Sequence, residues 1–178
     1  MTPYSLLGEV SSVSLATAGQ RAWNMPDDSM RDMAEHVAYE AFMLAGTTQL
    51  IEKNFPPPSR VKAPMRDVVR NALLESSLIH IRVLDDFLSR YAPARTDDVV
   101  AGDFLSSWEP RTCLTQDERD YLNKRLMHLT TVRAEGPAPW QLGKARELMN
   151  NFREFLQALE AHDPAKTEWF RRFVGWEG

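Results

Sequence analysis

One stretch of the chain, from about Pro64 to Arg90, restricts the fold more than any other, because its apolar residues recur every three or four positions. That spacing places them on one face of an α-helix, whereas a half-buried strand alternates residue by residue. The face consists of Val69, Leu73, Leu74, Leu78, Ile81, Leu84, Phe87 and Leu88. The stretch therefore predicts a long amphipathic helix, which must bury this face against other elements.

A second helix is predicted from about Ser29 to Asn54. Acidic and hydroxyl residues follow Pro26, where they suit a helix N-terminus, and three consecutive prolines from Pro56 end the segment. One apolar stripe contains Met30, Met33, Val37, Ala41, Leu44 and Ile51, and a second, on another side of the helix, contains Tyr39, Phe42, Met43 and Leu50. A helix with two apolar sides requires burial on both, either in the centre of a bundle or in a dimer interface.

Two more helices follow later in the chain. Thr115 and Glu118 have the spacing of a capping box, which predicts a helix start there and an end near Arg133. Residues 140–162 are cleanly amphipathic and predict another bundle helix. Before these two helices, and after the helix that ends near Arg90, Asp97 or Asp98 is expected to cap a short helix that ends at residue 104.

These segments predict an all-α fold, an antiparallel bundle of about four to five main helices with short extra helices, since no segment alternates like a strand and no long internal repeat is present. A length of 178 residues suits a single domain spanning 1–178. Residues 1–25 are interpreted as an N-terminal arm or a short helix. Residues 164–178 form an aromatic tail that either docks on the bundle or faces a partner.

Composition narrows the classes of protein to consider. Hydrophobic residues make up 43% of the chain and charged residues 26%, and the formal net charge is -4, which gives no overall attraction to nucleic acid or anionic lipid. A single cysteine, Cys113, excludes an internal disulfide and fits a reducing environment. No signal pattern and no span of about 18 apolar residues is seen, so we predict a cytoplasmic protein without a membrane association.

Polar residues along two of the predicted helices are the best candidates for a site. They are Asn71, Glu75, His80, Arg82, Asp85 and Asp86 on the first helix and Asn123, Lys124, Arg125, His128 and Arg133 on the second. Several lie beside or within apolar faces, where an ionisable group normally requires a partner. Either they pair with one another to support the fold, Glu75 with Arg82 for example, or they bind a ligand.

Arg125 illustrates the two interpretations, because it lies in or beside the apolar stripe of its helix and requires an anion. That anion is either a carboxylate, such as Glu75, Asp85 or Glu118, or a substrate phosphate, which a guanidinium binds through two hydrogen bonds. His128, three residues later, has an ordinary pKa near neutrality that suits a general acid or base.

Metal and nucleotide sites find little support in the sequence. His36, His80 and His128 fall on three helices and would suit a metal if they converged, but no Glu-x-x-His pair and no helix with two histidines at a ligand spacing occurs. Glycine-rich phosphate loops and dinucleotide fingerprints are also missing. We therefore predict neither a metal nor a cofactor.

Three segments resemble a family of uncharacterised bacterial proteins: LLESSLIHIRVLDDFL (73–88), DDVVAGDF (97–104) and YLNKRLMHLTTVR (121–133). More loosely, the architecture is similar to HEPN domains, helical bundles of toxin and defence systems, many of which cut RNA without a metal. Their motif is an arginine followed after a short spacer by a histidine. Here Asn123 and His128, with four residues between them, reproduce the spacing with asparagine at the arginine position, and Arg125 lies closer to the histidine.

The HEPN resemblance implies a site in a groove lined by a dimer. His128 would act as acid or base, and Arg125 or Lys124 would hold the scissile phosphate. The predicted catalytic residues are His128, Arg125 and Asn123, and the predicted binding residues are Lys124, Arg133, Glu75, His80 and Arg82.

Two functions of different classes follow. The first is a dimerising interaction module, with a second copy or another protein as the partner; the two-sided helix and the aromatic tail support it. The second is a HEPN-like ribonuclease or RNA-binding protein, which the cluster of Lys124, Arg125 and His128 supports. A third interpretation is a small ligand bound among the methionine and phenylalanine side chains of the bundle.

Overall fold

The computed structural model describes residues 26–57, 61–90, 98–124 and 142–171. Within these ranges the structure consists of helices and connecting loops, with no β-strand. The helices are α1 (Asp27–Glu52), α2 (Met65–Ser89), α3 (Ala101–Phe104), α4 (Gln116–Leu122), α5 (Leu142–His162) and α6 (Pro164–Thr167), followed by a 3₁₀ turn (Glu168–Phe170). The prediction of an all-α helical bundle is confirmed.

The long helices α1, α2 and α5 form the frame of the bundle. Glu40 of α1 contacts His80 of α2, while Thr48, further along α1, lies 3.5 Å from Ser77. At the end of α1, Glu52 accepts a hydrogen bond from Arg146 near the start of α5. The helix α1 therefore runs antiparallel to both α2 and α5, with its alanine-rich side, including Ala34, Ala38 and Ala41, fully buried.

Aromatic rings fill the core where α2, α3, α5 and the C-terminal turn meet. Phe155 is completely buried and has Phe87 and Trp108 at centroid distances of 5.4 Å, both in edge-to-face geometry. Phe104 and Phe170 pack at 5.1 Å. Edge-to-face pairs add to the stabilisation that burial of apolar area gives.

The described part of the predicted aromatic tail, up to residue 171, docks on the bundle. Phe170 is fully buried, and Trp169 packs half-buried against the core. Asp163 starts this segment by accepting a hydrogen bond from the backbone N–H of Lys166 at 3.2 Å. The rest of the tail lies outside the described residues, as do residues 1–25.

The ends of α1 differ from the expected capping. The helix starts at Asp27, so the early acids lie in its first turn and make no side-chain cap there. At its C-terminus, Asn54 adopts a left-handed conformation with φ of 52°, and the backbone N–H of Phe55 donates to Leu50 at 3.0 Å. Asparagine tolerates this conformation better than most residues, so it ends the helix before the prolines.

The capping box predicted for α4 is present. Thr115 Oγ1 accepts from the backbone N–H of Glu118 at 3.2 Å, and Glu118 Oε2 accepts from that of Thr115 at 2.7 Å. The expected cap of α3 was wrong. The helix begins at Ala101 with Val100 as its N-cap residue, and Asp103 within it accepts from the backbone N–H of Val100 at 2.9 Å. Asp98 therefore does not cap it, and Asp97 lies outside the described residues.

No helix in the described part of the chain is both long enough and apolar enough to cross a bilayer.

Candidate functional site

The polar series on α2 divides into exposed and inward-facing members. Asn71 and Glu75, near the start of the helix, are exposed. His80 and Asp85 are buried, whereas Arg82 and Asp86 are half-buried. The inward-facing members all lie in the second half of α2, and that half therefore carries the candidate site.

Asp85 is the most deeply buried charged residue of this site, with no exposed surface. Its Oδ1 accepts hydrogen bonds from the backbone N–H groups of Cys113 at 2.7 Å and Leu114 at 3.2 Å, and from Thr112 Oγ1 at 3.3 Å. Its Oδ2 forms an ion pair with Arg119. These donors attach the 112–114 loop and the start of α4 to α2.

Burial and pairing act in opposite directions on the proton affinity of Asp85. Desolvation raises the pKa of its carboxyl and is the largest effect, while the Cys113 N–H and the Arg119 guanidinium lower it. The net pKa of Asp85 lies above the ordinary value, because desolvation raises it by more than the hydrogen bonds and the Arg119 guanidinium lower it. The geometry is typical of a structural anchor.

Cys113, beside Asp85, is not a reactive thiol. Burial is the main cause that raises its pKa to about 12, and the nearby carboxylates of Glu147 and Asp85 add to this. Because the thiolate is the nucleophilic form, a thiol with this pKa is inert near neutral pH.

Asp86 faces three guanidinium groups. Its Oδ1 lies 2.7 Å from Arg119 Nη1 and 2.9 Å from Arg90 Nη2, and its Oδ2 lies 3.8 Å from Arg82 Nε. The expected pair of Arg82 with Glu75 does not form; Arg82 pairs with Asp86 because residues four apart are neighbours on a helix, while residues seven apart are about 10 Å apart along the axis.

His80 forms a close pair with Glu40 of α1. The distance between His80 Nδ1 and Glu40 Oε2 is 2.5 Å, and the ring of Tyr39 meets the imidazole edge-on at a centroid distance of 6.2 Å. The carboxylate holds the imidazole in one orientation, and Nε2 is the ring nitrogen that this pair does not use. Such a pair suits either a structural contact or a general base.

A groove of about 370 Å³ lies next to this pair, between α1, α2 and residues 98–99. Its apolar wall is made by Met33, Val37, Val83, Phe87 and Val99, and its polar rim by His36, Glu40, Asp86, Arg90 and Asp98. Arg90 lies 3.8 Å from Asp98. Each of the three rim carboxylates already has a partner in the structure, Glu40 in His80, Asp86 in three guanidinium groups and Asp98 in Arg90, so the character of the groove is set mainly by its apolar wall.

The predicted residues of the second helix are only partly described. Asn123 follows directly on α4 and is half-buried, and Lys124 is exposed. Arg125, His128 and Arg133 lie outside the described residues, so whether they meet the α2 residues stays a prediction.

Two carboxylates expected as anions for Arg125 have other partners. Asp85 pairs with Arg119, as described above. Glu118 accepts from the Thr115 N–H and lies 3.6 Å from Lys144 Nζ. The hydrogen bond from the Thr115 N–H is the main cause that lowers the pKa of Glu118.

The described residues also show whether the chain could ligate a metal ion. In the described ranges, no three histidine, cysteine or acidic side chains lie close enough to hold one ion. Of the three histidines considered, His36 lines the groove, His80 pairs with Glu40, and His128 lies outside the described residues.

Sequence reasoning missed the three partners that organise this site: Glu40, Arg90 and Arg119. Glu40 lies between the two apolar stripes of α1, which is the one signal that pointed to it. Arg119 is four residues after Thr115, in the first turns of a capped helix. The contact of Glu40 with His80 and the contacts of Arg119 with Asp85 and Asp86 each span more than 30 positions of the chain. Spacing along the sequence does not predict such contacts.

A second surface stands out near the groove. Seven large apolar side chains of the described residues are strongly exposed, and all lie on α1, on α2 or just after α1: Tyr39, Phe42, Phe55, Met65, Val68, Ile79 and Val83. Tyr39 is 50% exposed, Ile79 44% and Val83 42%. We call the six residues on α1 and α2, without Phe55, the hairpin face.

Comparisons with models of known protein families, with curated proteins and with solved structures find no match to this chain.

Proposed function

We propose that this chain is a small helical interaction module, with HEPN-like architecture, that forms a homodimer through the hairpin face. The observation that supports this most is the concentration of exposed apolar side chains on α1 and α2, since a monomer rarely leaves so many large apolar groups on one surface. The helix α1 has the two apolar sides expected from its sequence, and the side with Tyr39 faces outward.

The polar contacts of the candidate site support the same proposal. Asp85, Asp86 and Arg119 satisfy one another and the 112–114 backbone, as structural ion pairs do. The lone thiol of the site is inert. These features favour a scaffold that presents a binding surface, rather than a catalytic centre.

Sedimentation velocity over a range of protein concentrations tests the proposal. We expect the wild type to sediment as a concentration-dependent dimer and Ile79→Glu to be a monomer, because the new carboxylate would lie in the apolar contact. Ala158→Glu on α5, which is also exposed and helical, is the matched control and should leave the dimer intact. A wild type that is monomeric at about 100 µM contradicts the proposal.

A second candidate function is metal-independent RNA cleavage of the HEPN type, for which Glu40 and His80 provide one specific observation. Their 2.5 Å contact holds the imidazole in one orientation, as a general base requires, and Glu40 lines the groove. Asn123 and Lys124 follow α4, which Arg119 attaches to the same half of α2.

Incubation with labelled RNA of mixed sequence in EDTA tests this candidate, with wild type, His80→Ala and His128→Ala compared side by side. Cleavage that His128→Ala abolishes would support the nuclease implied by the resemblance, and cleavage lost only in His80→Ala would place the base on α2. If the wild type shows neither cleavage nor a gel shift, the RNA function is excluded.

A further inference from the structure

The exposed apolar residues of α2 share one side of the helix along its whole length. At about 100° per residue, Met65, Val68, Ile79 and Val83 fall within an arc of about 60°. Ala72 and Ser76, which are small, lie on the same side between them. The face is therefore continuous from the start of α2 to the groove, with large side chains at both ends and small ones in the middle.

The exposed side of α1 has the same arrangement. Tyr39 and Phe42 lie toward one end and the half-buried Leu50 toward the other, with Gly46 between them. A Cβ atom added at Gly46 would meet no atom within 4 Å, so the space outside the helix is open there. Since Thr48 contacts Ser77, Gly46 and Ser76 lie at about the same level of the antiparallel pair. The centre of the hairpin face thus carries small side chains, between Phe42 and Leu50 on α1 and between Val68 and Ile79 on α2.

The two ends of the hairpin carry opposite charge. Residues 27–36 at the start of α1 contain four exposed acids and one arginine: Asp27, Asp28, Asp32, Glu35 and Arg31. Residues 61–70, at the other end, contain three cations and one acid: Lys62, Arg66, Arg70 and Asp67. A second copy turned end for end would place unlike charges together at both ends, whereas a parallel copy would place like charges together.

Distances along α2 match the same symmetry. Met65 lies eleven residues before Ser76, and Phe87, in the wall of the groove, lies eleven residues after it. Each separation corresponds to about 17 Å of helix. A two-fold axis near Ser76 would therefore place the start of α2 of one copy over the groove of the other.

We propose that the second copy binds the hairpin face antiparallel, about a two-fold axis near Gly46 and Ser76, so that Met65 and Val68 of each copy enter the groove of its partner. This inference rests on the proposed function and specifies its interface. An isologous contact of this kind closes on itself, as a C₂ dimer requires. The groove suits this occupant because its wall is apolar, and Lys62 and Arg70, which flank Met65 and Val68, would lie near the acidic start of the partner's α1.

Charge reversal at either end tests the electrostatic part. Lys62→Glu with Arg70→Glu makes both ends acidic, and Asp32→Lys with Glu35→Lys makes both ends basic. We expect each double variant alone to dimerise at least about tenfold more weakly than wild type in sedimentation velocity. An equimolar mixture of the two should recover the dimer. Circular dichroism checks that both variants keep their helices, and a mixture that stays monomeric overturns the charge pairing.

Disulfide trapping tests the orientation. Val68 lies eight residues before Ser76 and Val83 seven after it, so the antiparallel dimer places Val68 of one copy opposite Val83 of the other. We expect mixed Val68→Cys and Val83→Cys proteins to form a heterodisulfide faster than either forms a homodisulfide. Ala158→Cys, exposed on α5, is the control, and the buried Cys113 adds no background.

The outcomes separate the two proposals. A dimer that traps mainly as the Val68→Cys homodisulfide overturns the antiparallel arrangement and leaves the interaction module standing. A chain that is monomeric at every concentration overturns both.

Discussion

At the scale of single residues, the balance of charge around Asp85 governs the candidate site. A carboxylate with no exposed surface would be costly alone, and here one guanidinium, one hydroxyl and two backbone N–H groups compensate it. Removal of one member of such a set leaves the others buried without a partner. The neighbouring Asp86 is half-buried and faces three guanidinium groups. Substitution by alanine should therefore destabilise the fold less at Asp86 than at Asp85.

We expect Asp85→Ala to lower the free energy of unfolding by about 3–5 kcal/mol, because Arg119 and the loop N–H groups lose their acceptor. Asp86→Ala is the matched control and should cost about 1 kcal/mol, as partly exposed ion pairs do. Urea unfolding followed by circular dichroism measures both. Equal losses for the two variants would mean that Asp85 is not the anchor of the loop.

Cys113 should not react in the folded protein. With a pKa of about 12, it should resist a thiol reagent such as DTNB at pH 8 and react fully in urea. Because this pKa is above the ordinary 9.0, the stability that the neutral thiol contributes is fully present below pH 9 and is lost as the pH rises toward 12. Fast labelling of the native protein would disagree with its burial.

The residue types of the site could be predicted from the sequence, but most of the partners could not. Helical spacing placed several polar residues of α2 beside or within its apolar face, and of these His80 and Asp85 are buried with partners. Which group would meet them depended on how α1 and α4 pack, since Glu40 is 40 positions from His80. The pairs of Asp86 with Arg82 and with Arg90, each four residues away, follow from helix geometry, although the expected partner of Arg82 was Glu75.

At the scale of elements, the helices themselves followed closely from the sequence. Apolar periodicity located α1, α2 and α5 within a few residues, because long amphipathic helices repeat their signal over several turns. The capping box of α4 is a local contact and was also correct. The cap of α3 was not, because a four-residue helix is set by the packing of Phe104 and the contact of Asp103 rather than by its flanks.

The capping box gives an element-scale prediction. Thr115→Ala should lower the free energy of unfolding by about 1 kcal/mol, since the N–H of Glu118 loses its acceptor at the start of α4. Thermal unfolding measures the loss, and Thr115→Ser, which keeps the hydroxyl, should restore most of it. If Thr115→Ser is as destabilised as Thr115→Ala, the methyl group matters more than the cap.

The pH response of this cap belongs to the same element. The pKa of Glu118 is lowered, mainly by the Thr115 N–H, so its contribution to stability is present above its ordinary value of 4.5 and is lost as the pH falls through the lower folded value. Glu118→Gln should therefore lose less stability than the wild type between pH 5 and pH 3, in urea titrations at each pH. If both proteins lose the same amount of stability between pH 5 and pH 3, other carboxyl groups control the loss at acid pH.

At the scale of the whole molecule, one side of the α1 and α2 pair is the core and the opposite side is the hairpin face. The alanines of α1 allow close packing against α2 and α5, while Tyr39 points the other way. The sequence indicated both sides but left open whether the second faced a bundle or a dimer. That choice depends on where every other helix lies, which periodicity in one helix does not determine.

The opposite charges at the ends of the hairpin predict a salt response. We expect the dimer dissociation constant to rise several-fold between 0.05 M and 0.5 M NaCl, because the screening length falls to a few ångströms over that range. Sedimentation equilibrium at matched pH measures it. Dimerisation that strengthens with salt would mean that apolar contact alone drives association and that the ends do not attract.

The carbonyl of Leu88, at the end of α2, accepts hydrogen bonds from the indole of Trp108 and the backbone N–H of Arg111, each at 3.0 Å. Both donors come from the same loop and α4 region that compensates Asp85. During synthesis the N-terminal part of a chain leaves the ribosome first. The pair α1 and α2 therefore leaves the ribosome before the donors to the Leu88 carbonyl and the partners of Asp85, so these contacts form only after Arg119 has been synthesised.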